Sequence, residues 1–396
     1  MDGLYQNAQT MYKEIISPIL DRLDSETWHV RAREALHLAE ATPLTLKLLE
    51  QFANHRRRFT DDRLSVVLGG VEFDNPVLVG AGWDKTGRAV RGLHQLGFSG
   101  VEVGSVLMSP QPGNDKPRQF YNPEGVALNR LGFNSPGMIE VGLNLIKYKN
   151  DKIPLGISLG KNKNVEPKDA PNVHAQVVSC LQNWPTEFDP DTNRISRTLG
   201  DQISYYTINV SSPNTPGLRE LQDKGPLTDI VQEVIGTIKM FGGNQSLFVK
   251  IAPDLTYEAI DDVIEVIVDN NLAGIVACNT TIDENLKARY GWRNEAGGLS
   301  GDDTDYADKV NRIIARIYRE AGDKLDIIGV GGVNDYNSTI SKIGAGAKAV
   351  QVVTGIRQIG PTLPGRINRE IIRTMDNLGY NSLSEWVGQE AHTYSR

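Results

Sequence analysis

The sequence predicts an α/β fold, a (β/α)8 TIM barrel preceded by a small N-terminal helical extension, on three observations. From Leu64 onward, short β-branched runs alternate with helical patterns, which favours parallel strands joined by crossover helices. Eight such runs follow one another over about 300 residues, matching the barrel in number and length. Glycine is nearly absent before Gly69 and frequent after it, so residues 1–62 read as the extension and residues 63–396 as the barrel.

The extension carries apolar residues at helical spacing, first Ile15, Ile16, Ile19, Leu20 and Leu23, then Leu44, Leu46, Leu48, Leu49 and Phe52. Asp24 or Ser25 is a candidate cap for a helix between these two sets, and Pro43 a candidate break before the last one. The eight strands are expected at 76–82, 98–105, 155–162, 205–213, 246–253, 273–279, 325–333 and 347–355. Stretches such as 257–270 and 306–321 supply crossover helices. Residues 181–199, rich in Asp, Pro and Asn, lengthen the connection before the fourth strand and read as a surface insertion.

A chain of 396 residues is long enough to bury a full core. Its net charge of −7 and the absence of a long basic block argue against a nucleic-acid partner. The run Arg56-Arg57-Arg58 reads as a solvated helix end, with a membrane headgroup contact as the alternative. Cys180 and Cys278 stand far apart, without metal-ligand or disulfide-framework spacing, which fits a reducing compartment. No apolar run approaches the roughly 20 residues of a spanning helix, and no signal-peptide pattern occurs, so a soluble or peripheral protein is expected.

In such a barrel the chemistry sits at the C-terminal strand ends. Those ends read Gly80-Ala81-Gly82 with Lys85, then Gly104-Ser105, Gly160-Lys161-Asn162, Asn209-Val210-Ser211-Ser212-Pro213-Asn214, Lys250, Asn279-Thr280-Thr281, Gly331-Gly332 and Thr354-Gly355. All six histidines lie outside them in sequence, and no carboxylate cluster appears, so Ser–His, metal-hydrolytic and paired-carboxylate chemistries fit poorly. Amides, hydroxyls and lysines suit a planar, hydrogen-bonding anion, and a lysine beside a redox ring stabilises developing negative charge. The glycines favour phosphate, although Gly80-Ala81-Gly82 and Gly331-Gly332 are equally good as tight turns. Lys250 sits inside the apolar run 247–251, where desolvation calls for an anionic partner. Ser211-Ser212 before Pro213 also fits simple turn chemistry.

Together the motifs GAGWDKTG (80–87), NRLGFNS (129–135), GKNK (160–163), NVSSPNTPGLRELQ (209–222), VKIAPDLT (249–256), NTT (279–281), GGLSG (297–301) and GVGGV (329–333) closely resemble the dihydroorotate dehydrogenase family, in order, over about residues 24–390. The resemblance implies FMN at the top of the barrel and oxidation of (S)-dihydroorotate to orotate in pyrimidine synthesis. A serine in the base position, Ser212, and an extension opened by LDSETWH (23–29) are similar to the quinone-linked branch. A membrane quinone is then the acceptor, and the protein sits peripherally, on the cytoplasmic side of a bacterial membrane.

Carried over by position, Ser212 is the catalytic base. Lys85, Asn129, Arg130, Leu131, Gly132, Phe133, Asn209, Asn214, Asn279 and Thr280 are the substrate-binding residues. Ala81, Gly82, Lys85, Ser105, Ser158, Asn209, Lys250, Cys278, Gly301, Gly332, Val353 and Thr354 are the cofactor-binding residues; no metal is implied. Thr215 and Phe133 are candidates for a proton relay and a hydrophobic shield. The chain departs from the family at Ser158 (usually Asn), Trp83 (usually Phe), Cys278 (commonly Thr) and Val353 (usually aromatic). Tyr121 stands where the family places a quinone-site arginine, although His29 of the extension is kept. Two rival readings remain open: a flavin dehydrogenase of the same fold using fumarate or NAD, and a barrel binding a phosphorylated ligand without redox chemistry.

Overall fold

The structure, a computed structural model, describes residues 24–54, 58–189, 192 and 194–394, together with Tyr12, Glu14 and Pro18. The apolar set at Ile15, Ile16, Ile19, Leu20 and Leu23, and the arginines Arg56 and Arg57, lie outside the described residues.

Eight parallel strands close the barrel: β1 (Val77–Val79), β2 (Val101–Val106), β3 (Leu155–Leu159), β4 (Tyr205–Asn209), β5 (Ser246–Ile251), β6 (Gly274–Ala277), β7 (Asp326–Val330) and β8 (Ala349–Val352). Each strand pairs with its sequence neighbours, and β8 closes on β1 through Val350↔Val77 and Val352↔Val79. All eight expected strands are present; seven stop short of their expected C-terminal ends, and β2 runs one residue past its own. The polar residues there, such as Ser212 and Asn214, leave the ladder and line the cavity above. Helix Tyr257–Asp269 ends one residue early, and helix Thr304–Ala321 starts two residues early because Asp303 accepts the Tyr306 amide at 2.7 Å.

The barrel interior is filled by complementary volumes. Gly156 on β3 faces Tyr205 on β4, and a Cβ at 156 would come within 2.2 Å of the tyrosine ring. That ring packs edge-on against Phe248 and Phe73, with centroids 5.6 and 6.3 Å away. Phe73 belongs to an antiparallel hairpin, Val66–Leu68 with Val71–Phe73, which the sequence reading did not single out. The expected insertion at 181–199 contains a second hairpin, Pro185–Asp189 with Arg194–Thr198. Over the C-terminal end lies an unforeseen antiparallel sheet of Gln119–Tyr121, Val126–Asn129 and Gly298–Gly301.

The extension supplies two described helices, α1 (Ser25–Ala39) and α2 (Pro43–Asn54). Asp24 caps α1, its carboxylate accepting the amides of Glu26 and Thr27 at 3.1 and 3.0 Å. Pro43 opens α2, where a missing N–H costs nothing. Buried residues Trp28 and Leu36 turn α1 toward the barrel, whereas α2 leaves Leu44, Leu48 and Phe52 exposed along one face at four-residue spacing. Arg58 is not a solvated helix end: it is tucked in, donating to the Phe98 carbonyl at 3.2 Å and pairing with Asp74 at 3.2 Å.

Polar contacts at both ends of α1 hold it to the barrel. At its C-terminal end Glu40 accepts from Tyr148 and Lys147, both at 2.8 Å, and from the Gly92 amide at 2.9 Å. At its N-terminal end Glu26 makes a two-pronged ion pair with Arg118, at 2.6 and 2.9 Å, and both side chains are largely buried. Removing one member of a buried pair strands the other charge. Glu26→Ala is therefore expected to lower stability by about 3 kcal/mol, with faster hydrogen exchange over 25–39. Urea denaturation and exchange of the variant check this, and protection unchanged along α1 would contradict the anchoring role.

Candidate active site

One cavity runs from the C-terminal mouth of the barrel, beneath the upper sheet, to the underside of α1. Its geometry follows from the strand ends, which converge there because the sheet is closed and parallel.

At one end stand the amides and hydroxyls. Asn209, the last residue of β4, donates to Ser105 Oγ at 3.0 Å, and Ser105 Oγ lies 3.0 Å from Ser158 Oγ. Asn209 Oδ1 accepts from Ser211 Oγ at 2.8 Å, and the same hydroxyl accepts from Asn279 Nδ2 at 2.9 Å. Ser211 is thus a fully buried bracket between two asparagines that line the cavity, not only a turn residue. Asn214 reaches Asn129 on the upper sheet, donating to its carbonyl at 3.2 Å, while the Asn214 amide donates to Ser212 Oγ at 3.3 Å. Leu131, Gly132 and Phe133 complete this wall, Phe133 with a positive φ of 53°. Thr280 lines it too, and the hydroxyls of Thr280 and Thr215 are buried without a hydrogen-bond partner.

Among the described residues, three cations line the cavity: Lys85, Lys250 and Arg357. Lys85 makes no ion pair among the described residues; burial pulls its ammonium down to about 8, against the favourable charge of Glu26. Lys250 is buried near the end of β5, also without a bonded partner among the described residues, and burial lowers it while Glu102 and Cys278 draw it back up. Glu102 is itself wholly buried in the barrel interior. It accepts from Thr207 Oγ1 at 3.0 Å and Gln351 Nε2 at 2.7 Å. His29 of α1 joins the cavity although it is remote from every strand end, its Nε2 lying 2.5 Å from the Trp83 carbonyl. Burial and then Lys85 push its imidazole down to about 3, so it is neutral.

At the opposite end two consecutive glycines shape the backbone. Gly331 and Gly332 adopt φ of 112° and 69°, and a Cβ on Gly331 would sit 2.4 Å from the Tyr306 hydroxyl. Neither glycine donates its N–H to a neighbour among the described residues. Gly301, Val353 and Thr354 stand beside them, and Thr354 opens the short helix α3 (Thr354–Ile359). Ala81, Gly82 and Cys278 line the stretch between, with burial pushing the Cys278 thiol far up and so keeping it protonated.

Two residues expected at the site do not reach the cavity. Arg130 turns outward, donating to Glu295 at 2.6 Å and lying over the Phe120 ring at 4.9 Å. It follows Asn129 directly, and consecutive side chains of extended backbone face opposite ways. Ser158 sits one layer below the cavity, fully buried, and acts on it only through Ser105. Conversely, Ser211, Glu102, Trp28 and Arg357 were not foreseen as parts of the site, whereas Tyr121, singled out for its position in the sequence, does line the cavity. A charged residue within the β-branched run VEVGSV signals Glu102 as clearly as Lys250 was signalled by its own run.

The closed parallel barrel, with fixed amides and two lysines that make no ion pair among the described residues gathered at its C-terminal mouth, has the layout of a barrel enzyme. Residues 63–375 match the family profile described as dihydroorotate dehydrogenase. Relatives named "Dihydroorotate dehydrogenase (quinone)" include those of Anaeromyxobacter dehalogenans, 37% identical over 94% of this chain and 95% of theirs, and of Chloroflexus aurantiacus, 40% identical over 91% and 96%. The relative from Natronomonas pharaonis is 37% identical over 98% of this chain and 99% of its own. Among solved structures, DHODH of Eimeria tenella in complex with ferulenol superposes with a TM-score of 0.78, at 27% identity, over 94% of this chain and 98% of its own. The chain belongs to the dihydroorotate dehydrogenase family, in its quinone-linked branch, and is an oxidoreductase of pyrimidine biosynthesis.

Ser211→Ala removes one hydroxyl that serves the side-chain amides of Asn209 and Asn279. A stability loss of about 1–3 kcal/mol is expected, read from the urea midpoint; an unmoved midpoint would show that the asparagines hold their places without it.

Proposed function

We propose that this protein oxidises (S)-dihydroorotate to orotate with bound FMN and passes the electrons to a membrane quinone. The observation that carries the reading is the meeting, in one cavity, of Ser212 among the asparagines with an unpaired buried Lys250 and the glycine cradle at 331–332.

The residues fit FMN. Gly301, Gly332 and Thr354 would hold its phosphate on free backbone N–H groups. Ala81, Gly82, Ser105, Cys278 and Val353 would border its rings, with Ser158 supporting Ser105 and Asn209 reaching it from β4. Lys250 would face the ring system, where a buried ammonium favours added negative charge. When bound, FMN supplies the two-electron acceptor for the hydride that leaves C6 of the substrate.

Asn129, Asn209, Asn214, Asn279 and Thr280 would hydrogen-bond the pyrimidine and its carboxylate. The Ser211 bracket and the Asn214–Asn129 contact hold four of these side chains before substrate arrives, so little ordering remains for binding. Lys85 would stand between substrate and cofactor. Ser212 would take the C5 proton at Oγ. A serine hydroxyl is a weak base at neutral pH, so its proton needs an onward path. Thr215, buried with an unpartnered hydroxyl three residues on, would receive it, and Phe133 would keep bulk water away.

The outer end, roofed by α1, would admit the quinone. Neutral His29 offers a hydrogen bond without a charge, and Trp28 an apolar wall. The apolar face of α2, with Leu44, Leu48 and Phe52 exposed, suits peripheral contact with a membrane surface. No helix among the described residues is long and apolar enough to cross a membrane.

The deciding experiment is a visible spectrum of the purified protein. Flavin absorbance should bleach with dihydroorotate under anaerobic conditions and recover with a soluble quinone. A colourless preparation would favour a non-redox phosphate-binding barrel, and recovery with fumarate or NAD instead of quinone would reassign the acceptor. Ser212→Ala should retain FMN and lose bleaching by a factor of at least roughly a hundred; undiminished reduction would sink the base assignment. Lys85 loses its charge as pH rises through about 8. Since kcat/KM reports the free enzyme, its value for anionic dihydroorotate should fall above that pH, and Lys85→Met should flatten this limb.

A further inference from the structure

Of the three cations lining the cavity, Lys85 and Lys250 are accounted for by substrate and cofactor, and Arg357 is not. It lies on α3, one turn beyond Thr354, yet its contacts lead away from the glycine cradle. The guanidinium sits over the Tyr121 ring at 4.1 Å and faces the Trp28 ring at 5.3 Å, while Nη1 donates to Ser25 Oγ at 2.5 Å. Ser25 and Trp28 belong to α1, and Tyr121 to the upper sheet. Arg357 therefore fixes the outer end of the cavity, where three separate elements meet, and only 8% of its surface is exposed.

A guanidinium flanked by aromatic rings is held in one orientation and is less strongly hydrated than an ammonium, so it meets a ligand with little reorganisation. An uncharged, apolar ring whose oxygen gains negative charge on reduction suits this setting: aromatic walls receive the ring and the cation receives the oxygen. A quinone has that chemistry. Tyr121 lies directly under Arg357, so cation and aromatic face share the same space across two walls of the cavity.

Resting on the quinone reading proposed above, we infer that Arg357 is the residue that hydrogen-bonds the acceptor's carbonyl oxygen and stabilises the charge arriving there. The balance is simple. Two electrons and two protons leave dihydroorotate, two electrons and two protons end on the quinone as hydroquinone, and Arg357 keeps its own proton throughout.

The test uses the full-length, FMN-loaded protein and a short-chain soluble quinone. Arg357→Gln should bleach with dihydroorotate at the wild-type rate and keep its FMN, while kcat/KM for the quinone falls roughly tenfold to a hundredfold, mainly through KM. Arg357→Lys should recover part of the loss, and adding Tyr121→Arg to Arg357→Gln should recover more, because the charge returns from the other wall. An unchanged quinone KM in Arg357→Gln, or no recovery in both rescue variants, overturns the assignment. Loss of FMN from both Arg357→Gln and Arg357→Lys also overturns it, by placing Arg357 on the cofactor phosphate. A wild-type protein that bleaches but is not reoxidised by quinone is a different failure, since it removes the acceptor reading itself and this inference with it.

Discussion

Burying an ammonium group without a bonded anion is costly, and the architecture around the cavity is organised by that cost. Lys250 is the penultimate residue of a strand and is flanked there by Leu247, Phe248, Val249 and Ile251, and Lys85 is enclosed enough to be drawn down to about 8. Neither makes an ion pair among the described residues. The nearest compensation for Lys250 comes from Glu102, inside the barrel and held by Thr207 and Gln351 from two other strands. Such an arrangement leaves positive potential directed into the cavity, where, on the reading proposed above, an electron-accepting ring or a carboxylate would recover the desolvation free energy. Residues that merely bordered a pocket would not need a carboxylate in the barrel core.

Around this charged floor the neutral groups are fixed by one another. Ser211 bridges Asn209 and Asn279, so the ends of β4 and β6 share a single hydroxyl. Beneath it Arg219 donates to the Ser211 and Thr280 carbonyls and to Asp254, and Asp254 also accepts from Thr281 and Lys309. Three strand ends are thereby tied into one polar scaffold below the cavity. The outer wall is held differently. Trp28 and His29 belong to α1, and α1 is joined to the barrel through the ion pair of Glu26 and the bonds of Glu40. The two halves of the cavity thus rest on independent supports.

Much of this was legible in the residues. The eight strands show because parallel barrel strands are buried on both sides and therefore read as continuous β-branched runs. Asp24 and Pro43 marked real helix starts by side-chain chemistry alone. The upper sheet escaped notice because strands such as Gln119–Tyr121 have three residues and no alternation of burial. Among the site residues, the motifs located the cavity, but adjacency in sequence misled at Arg130, whose neighbour Asn129 faces the opposite way. Ser211 looked like turn chemistry because its second partner, Asn279, is 68 residues distant. The contact of Arg357 with Tyr121 joins segments more than two hundred residues apart, and no local pattern encodes it.

The exposed stripe of Leu44, Leu48 and Phe52 on α2 has a kinetic consequence on the reading proposed above. An enzyme resting on a bilayer meets a lipid-dissolved oxidant by lateral diffusion, in two dimensions. Its effective supply is then a number of molecules per unit area, set by how much lipid is present, while dihydroorotate arrives from three-dimensional solution. The two half-reactions of one cavity would obey different units of concentration, so diluting the lipid and diluting the water would slow turnover at different steps.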